Sequence, residues 1–227
     1  MCFSATSSIT AGVILGGVGL VSILSAKEPS HKYFAAIPFI FSIQQFCEGA
    51  LWLSLEHIEL ANFYRTITYM YLFFAQIMWP TWIPLSVYML EKNRARKKLI
   101  FWLLCIGAMV SAYMAFSLFY YPVNSKIVGY HIQYEMDFPK ALTWVSFGAY
   151  GAATILSLFL SGVKKMEWLA IMVSISYLAA AFFFTYYITS VWCFFSAIMS
   201  VIILGIVTKL PKDLEEVKDP VLGHIKL

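Results

Sequence analysis

The chain has 227 residues, of which 61% are hydrophobic and only 12% charged, against about 25% charged in an ordinary soluble domain. With a mean hydropathy of +0.76, this leaves no room for a separate soluble domain and points to a polytopic membrane bundle whose main partner is the lipid bilayer. The net charge of +4 does not argue for nucleic acid: the basic residues fall between apolar runs, where membrane topology accounts for them, and not on one soluble face.

Seven apolar segments predict an all-α bundle of seven transmembrane helices over residues 1–210, followed by a charged tail, 211–227. The first, 4–25, carries Gly16-Gly17-Val18-Gly19, small residues that allow close helix packing in a membrane. It has no basic n-region and no cleavage pattern, so it is expected to be a retained helix. A short turn, 27–32, leads to the second segment, 33–56. The third, 62–90, is interrupted by Pro80 and Pro84, each of which removes a backbone donor and kinks a helix. A basic run, 91–98, precedes the fourth segment, 99–121. Residues 122–140 form the longest stretch outside the apolar segments. The fifth, sixth and seventh segments are 141–163, 167–187 and 189–208.

Of the 16 Lys and Arg residues, thirteen fall on the side that carries the turn 27–32, the run 91–98, Lys164-Lys165 and the tail; Arg65, Lys126 and Lys140 lie on the other. Basic residues stay on the cytoplasmic side, so the N-terminus is expected outside and the C-terminus in the cytoplasm. Seven spans fit a three-plus-one-plus-three plan. One short echo, Phe73-Phe74-Ala75-Gln76-Ile77-Met78 against Phe194-Phe195-Ser196-Ala197-Ile198-Met199, falls where parallel repeats would place it.

Glu48 is the one acidic residue well inside an apolar segment, and an ionisable group at membrane depth is a functional candidate by default. Gln45, Glu48 and Trp52 are three and four apart and share a helix face, with Gln44 beside it. A polar pocket is expected there, with Trp79 and the Trp79–Pro84 kink alongside and Arg65 at its rim. The plainer alternative is a structural hydrogen bond to a neighbouring helix. The metal-ligand candidates are Cys2, Glu48, His57, His131 and Glu135. Cys2, if it becomes the first residue, combines an amine and a thiol suited to a soft ion, and His131 and Glu135, four apart, share a face if their stretch is helical. The ion would be divalent or soft, such as zinc or copper. The four cysteines, Cys2, Cys47, Cys105 and Cys193, have no CxxC spacing. Cys47 and Cys105 read as apolar fillers, and Cys2 and Cys193 fall at one level, where a disulfide is an option. Tyr64, Tyr69, Tyr71, Tyr120, Tyr121, Tyr186 and Tyr187 read mostly as an interfacial aromatic belt.

The opening Met-Cys-Phe-Ser-Ala-Thr, Phe-Ala-Ala-Ile-Pro at 34–38, Gln44-Gln45 with Glu48-Gly49, and Trp79-Pro80 with Pro84-Leu85 resemble a family of small uncharacterised bacterial membrane proteins. The resemblance covers about the first ninety residues and implies a bacterial cytoplasmic membrane, with nothing about substrate. The layout is also similar to that of alkaline ceramidase-like hydrolases, but no histidine lies well inside a segment; the rhodopsin lysine is missing from the last segment, and so is the Pro-Gln pair of sugar-transporter-like proteins. The expected function is binding or transport of a small polar molecule or metal ion in the outer half of the bundle. The alternatives are a membrane-embedded, hydrolase-like metal enzyme with its site facing outside, and a structural or sensory membrane protein.

Overall fold

The computed structural model describes residues 4–183 and 188–210. Helix α1, Ala5–Ser25, starts at Ser4, whose hydroxyl accepts from Ser7 N at 3.2 Å and so satisfies one of the free donors of the first turn. Helices α2, Pro29–Ala35, and α3, Ile37–Glu56, form one 28-residue rod, Pro29–Glu56. The expected turn over 27–32 is therefore shorter: Pro29, whose fixed φ suits the first turn of a helix, already opens α2. The α1 glycines meet this rod. A Cβ on Gly16 would stand 3.0 Å from Ser42 Oγ, and one on Gly19 would overlap the backbone of Phe39. Ser42 Oγ donates to the Gly12 carbonyl at 2.6 Å across the same seam.

A 3-10 turn, Ile58–Phe63, leads into α4, Tyr64–Leu72, a π-helical segment, Phe73–Met78, and α5, Trp79–Leu90. Helix α6, Arg94–Tyr120, is capped by Asn93, whose Oδ1 accepts from Ala95 N and Arg96 N at 3.0 and 3.1 Å. Then come α7, Lys140–Gly151, a second π segment, Ala152–Leu156, the short α8, Ser157–Leu160, α9, Met166–Phe183, and α10, Ile188–Val207.

Among the described residues, three helices are long and apolar enough to cross a membrane: Ala5–Ser25, Pro29–Glu56 and Arg94–Tyr120. The third and fifth predicted segments are helical but divided by π turns, and α9 and α10 are the helices found over the sixth and seventh. Their surfaces invert the soluble pattern: Leu24, Trp102, Met109, Phe119, Trp144, Val145 and Trp168 are all exposed.

Residues 122–140 depart from the all-helical expectation. Strands β1, Val123–Val128, and β2, His131–Met136, form an antiparallel hairpin with Val128 opposite His131. The two-residue turn uses Gly129 at φ 61°, the left-handed conformation that glycine adopts without steric penalty at the first position of such a turn. Val123, Ser125, Ile132 and Tyr134 face inward.

The buried apolar residues form two clusters. One, toward the end opposite the hairpin, includes Phe34, Ile37, Ile40, Trp79, Val87, Leu158 and Ile203. The other, under the hairpin, includes Cys47, Leu51, Trp52, Tyr71, Leu118, Val123, Ile132 and Tyr134. On α3 the residues between Ile40 and Leu51 include Gln44, Gln45 and Glu48, all buried. At the opposite end Glu91, also buried, accepts from Asn93 N at 2.9 Å and Gly162 N at 2.6 Å, tying two turns together.

Candidate functional site

The site is built on one face of α3. With 3.6 residues per turn, Gln45, Glu48 and Trp52 stack along that face, and all three are buried: Glu48 is 0% exposed, Gln45 1% and Trp52 3%. Gln45 Nε2 donates to Glu48 Oε2 at 3.4 Å. Gln44 Oε1 accepts from the indole N–H of Trp79 at 2.8 Å, and the Trp79 ring stacks on Phe41 with centroids 4.0 Å apart. Two groups remain: Gln45 Oε1, an acceptor, and Trp52 Nε1, a donor, have no hydrogen-bond partner among the described residues. Most buried polar groups in folded proteins are paired, so an unmatched acceptor and an unmatched donor on the face that carries Glu48 stand out among the buried groups.

Trp79 reaches Gln44 because of the π segment that precedes it. A π turn spends one extra residue and leaves carbonyls without their usual partners. Here side chains from other helices supply the donors: Tyr150 Oη donates to the Ala75 carbonyl at 2.9 Å and Ser111 Oγ to the Ile77 carbonyl at 2.6 Å, with Thr81 Oγ1 2.7 Å from Ser111 Oγ. Pro84 has no N–H for the Pro80 carbonyl, and α6 passes so close to that oxygen that a Cβ on Gly107 would overlap it. Ahead of the two prolines the chain thus takes a π turn, braced from α6 and α7, and α5 continues as an α-helix through Pro84. Gln76, within it, donates to Met136 Sδ of the hairpin at 2.9 Å. The matching stretch Phe194–Met199 lies in the regular helix α10, so the sequence echo is not an echo in backbone geometry.

The remaining candidates lie elsewhere. Arg65 is exposed at the start of α4, away from the buried layer. His57 is the exposed C-cap of α3, nine residues and about 14 Å along the axis from Glu48. His131 and Glu135 are on a strand, not a helix. They still share a face, but four residues of strand separate their backbones by about 13 Å, too far to ligate one ion, and Glu135 pairs with Lys126. Burial lowers the pKa of His131 from its ordinary value. Cys2 and the side chain of Cys193 lie outside the described residues, as do Tyr186, Tyr187 and the tail 211–227. Among the described residues, no group of three or more His, Cys, Asp or Glu residues stands ready to hold a metal, and Cys47 and Cys105 are free thiols. Tyr71 belongs to no belt: it is fully buried and stacks on Tyr134 at 5.1 Å between centroids. A separate groove of about 510 Å³, lined by Thr66, Tyr69, Met70, Phe73 and Phe74, includes none of the Glu48 layer.

Residues missed from the sequence are those that brace and cover the layer: Ser111, Tyr150, Gln76, Thr68 and Ser125. Gln76, polar within an apolar run, is the one that carried a visible signal.

No curated protein matches this chain, and no solved structure matches it. Residues 1–216 match a family of unknown function, DUF6629, and with nearly the whole chain covered, the protein belongs to that family.

Proposed function

We propose that this is a seven-span protein of a bacterial cytoplasmic membrane that binds or carries a small polar molecule or ion in a polar layer centred on Glu48. Residues 1–210 would form the membrane body, with the N-terminus outside, the hairpin on the outer side and residues 211–227 as a cytoplasmic tail. The Lys and Arg asymmetry supports that orientation, and the apolar outer surface of the helices supports a lipid environment. The observation that carries the binding reading is the fully buried Glu48 beside Gln45 Oε1 and Trp52 Nε1, an acceptor and a donor with no partner among the described residues. A buried polar group left unmatched costs about 1–3 kcal/mol, which a guest with complementary groups would recover.

The test is a thermal-shift panel on detergent-purified protein, wild type against Glu48→Gln, with amino acids, small amines, sugars and mono- and divalent cations as probes. A ligand at a hundred times its Kd stabilises by about 2.7 kcal/mol, a shift of several degrees. At least one probe is expected to raise the wild-type Tm and to leave Glu48→Gln unmoved, with circular dichroism establishing that the variant is folded. Elemental analysis of the same preparation distinguishes a co-purified metal from an organic guest. A panel without a Glu48-dependent shift, in protein free of metal, would sink the reading.

A further inference from the structure

Glu48, Gln45 and Gln44 are between 0% and 2% exposed, so any guest reaches them only when something moves. Along the face that carries Glu48, the next side chain toward the hairpin end is Trp52, one turn on. Trp52 and its neighbour Leu51 share a single packed cluster with Val123, Ile132 and Tyr134 of the hairpin. The hairpin is therefore the roof over this end of the layer.

Two features make that roof separable. Its two strands are six residues each and, among the described residues, pair only with each other, and a lone two-stranded hairpin is marginal without a surface to dock on. It joins α6 to α7 through short arms, 121–122 and 137–139, that belong to neither helix. Among the contacts that dock it are Thr68 Oγ1 to Ser125 Oγ at 2.7 Å, the Tyr71–Tyr134 ring stack, and Gln76 Nε2 to Met136 Sδ. The last of these joins the roof to the π turn that places Trp79 against Gln44, so roof and layer share a wall.

We infer that the hairpin Val123–Met136 is a lid that must lift off Tyr71 and Thr68 to let water and small solutes reach the Glu48 layer. This rests on the reading of that layer as a binding site. Lifting breaks the Thr68–Ser125 bond and the Tyr71–Tyr134 stack, opens the Trp52 side of the cluster, and leaves the helix bundle in place.

The experiment uses the full chain with Thr68→Cys and Ser125→Cys, positions whose hydroxyl oxygens are already in contact, so that oxidation pins the lid shut and reduction frees it. A water-soluble carbodiimide with glycine ethyl ester labels accessible carboxyls, and peptide mass spectrometry reads the rate at Glu48 against exposed Glu59. Labelling of Glu48 is expected to slow at least tenfold on oxidation and to recover on reduction, with Glu59 unchanged. Tyr134→Ala, which removes half of the ring stack, provides an independent arm and is expected to speed Glu48 labelling several-fold in an otherwise native chain. Equal rates in the oxidised and reduced forms, or no acceleration in Tyr134→Ala, would overturn the lid while leaving the site. No labelling of Glu48 in any form would overturn the site reading, and the lid with it.

Discussion

Trp79 and Gly107 carry the sharpest consequences for a single side chain. Trp79 gives its indole N–H to Gln44 at 2.8 Å in a buried setting. Trp79→Phe keeps the ring that stacks on Phe41 but removes the donor, and a buried acceptor that loses its donor costs about 1–3 kcal/mol. The expected outcome is a lower Tm in detergent with unchanged helicity, measured by circular dichroism. Gly107 faces the Pro80 carbonyl, with no room for a Cβ. Gly107→Ala would have to push α6 off α5, at a cost of about 3 kcal/mol, the upper end for overpacking. Gly17, by contrast, has nothing within 4 Å of where a Cβ would stand, so Gly17→Ala is expected to be neutral or to stabilise by up to about 1 kcal/mol. If the two variants melt alike, the tight α5–α6 crossing is wrong.

At the scale of elements, the hairpin and the π turns shape the surroundings of the Glu48 layer. His131 opens β2, and burial lowers its pKa from the ordinary 6.5. The released hairpin therefore binds a proton more readily than the docked one, and docking gains strength as pH rises. Docking is at full strength above about pH 6.5 and weakens as the pH falls through that value toward the lowered one. Hydrogen exchange over residues 123–136, corrected for the intrinsic pH dependence, is expected to show less protection at about pH 5.5 than at about pH 7.5, and His131→Gln should remove the difference. These elements were also the ones least readable in advance. The face of Gln45, Glu48 and Trp52 followed from helical period alone, because a 20-residue apolar run with polar residues three and four apart has one way to hide them. The hairpin had its signal in the alternation of His131-Ile132-Gln133-Tyr134-Glu135-Met136 after Gly129, but a short stretch between long apolar segments read as a loop. The π turns left no mark, since one extra residue in the backbone ladder does not disturb an apolar pattern. His131 and Glu135 lie too far apart for a related reason: strand rise is about twice helix rise, so spacing judged for a helix overstates how close two residues come.

For the whole molecule, two apolar clusters meet at a polar layer, and the two ends differ in charge. The turns at the end opposite the hairpin carry Lys27, Lys92, Arg94, Lys164 and Lys165, and Glu91 binds two of those turns together through Asn93 N and Gly162 N. If the N-terminus is outside, a cysteine placed at Lys126 should react with a membrane-impermeant maleimide in intact cells, and one at Lys164 only after permeabilisation. The reverse pattern would invert the proposed topology. The π turn at Phe73–Met78 has a reach that extends over this whole body. It acts as a phase shifter: one surplus residue turns everything downstream by about 100° relative to a straight helix. Deleting Ala75 would let the segment relax into an ordinary α-helix and leave Trp79 facing Gln44 and the Pro80 carbonyl facing Gly107, whereas the undeleted sequence wound as a regular helix would swing both away. In this protein the azimuth of an entire rod, and with it the wall of the Glu48 layer, depends on the backbone absorbing, at one π turn, one residue more than a regular helix would need.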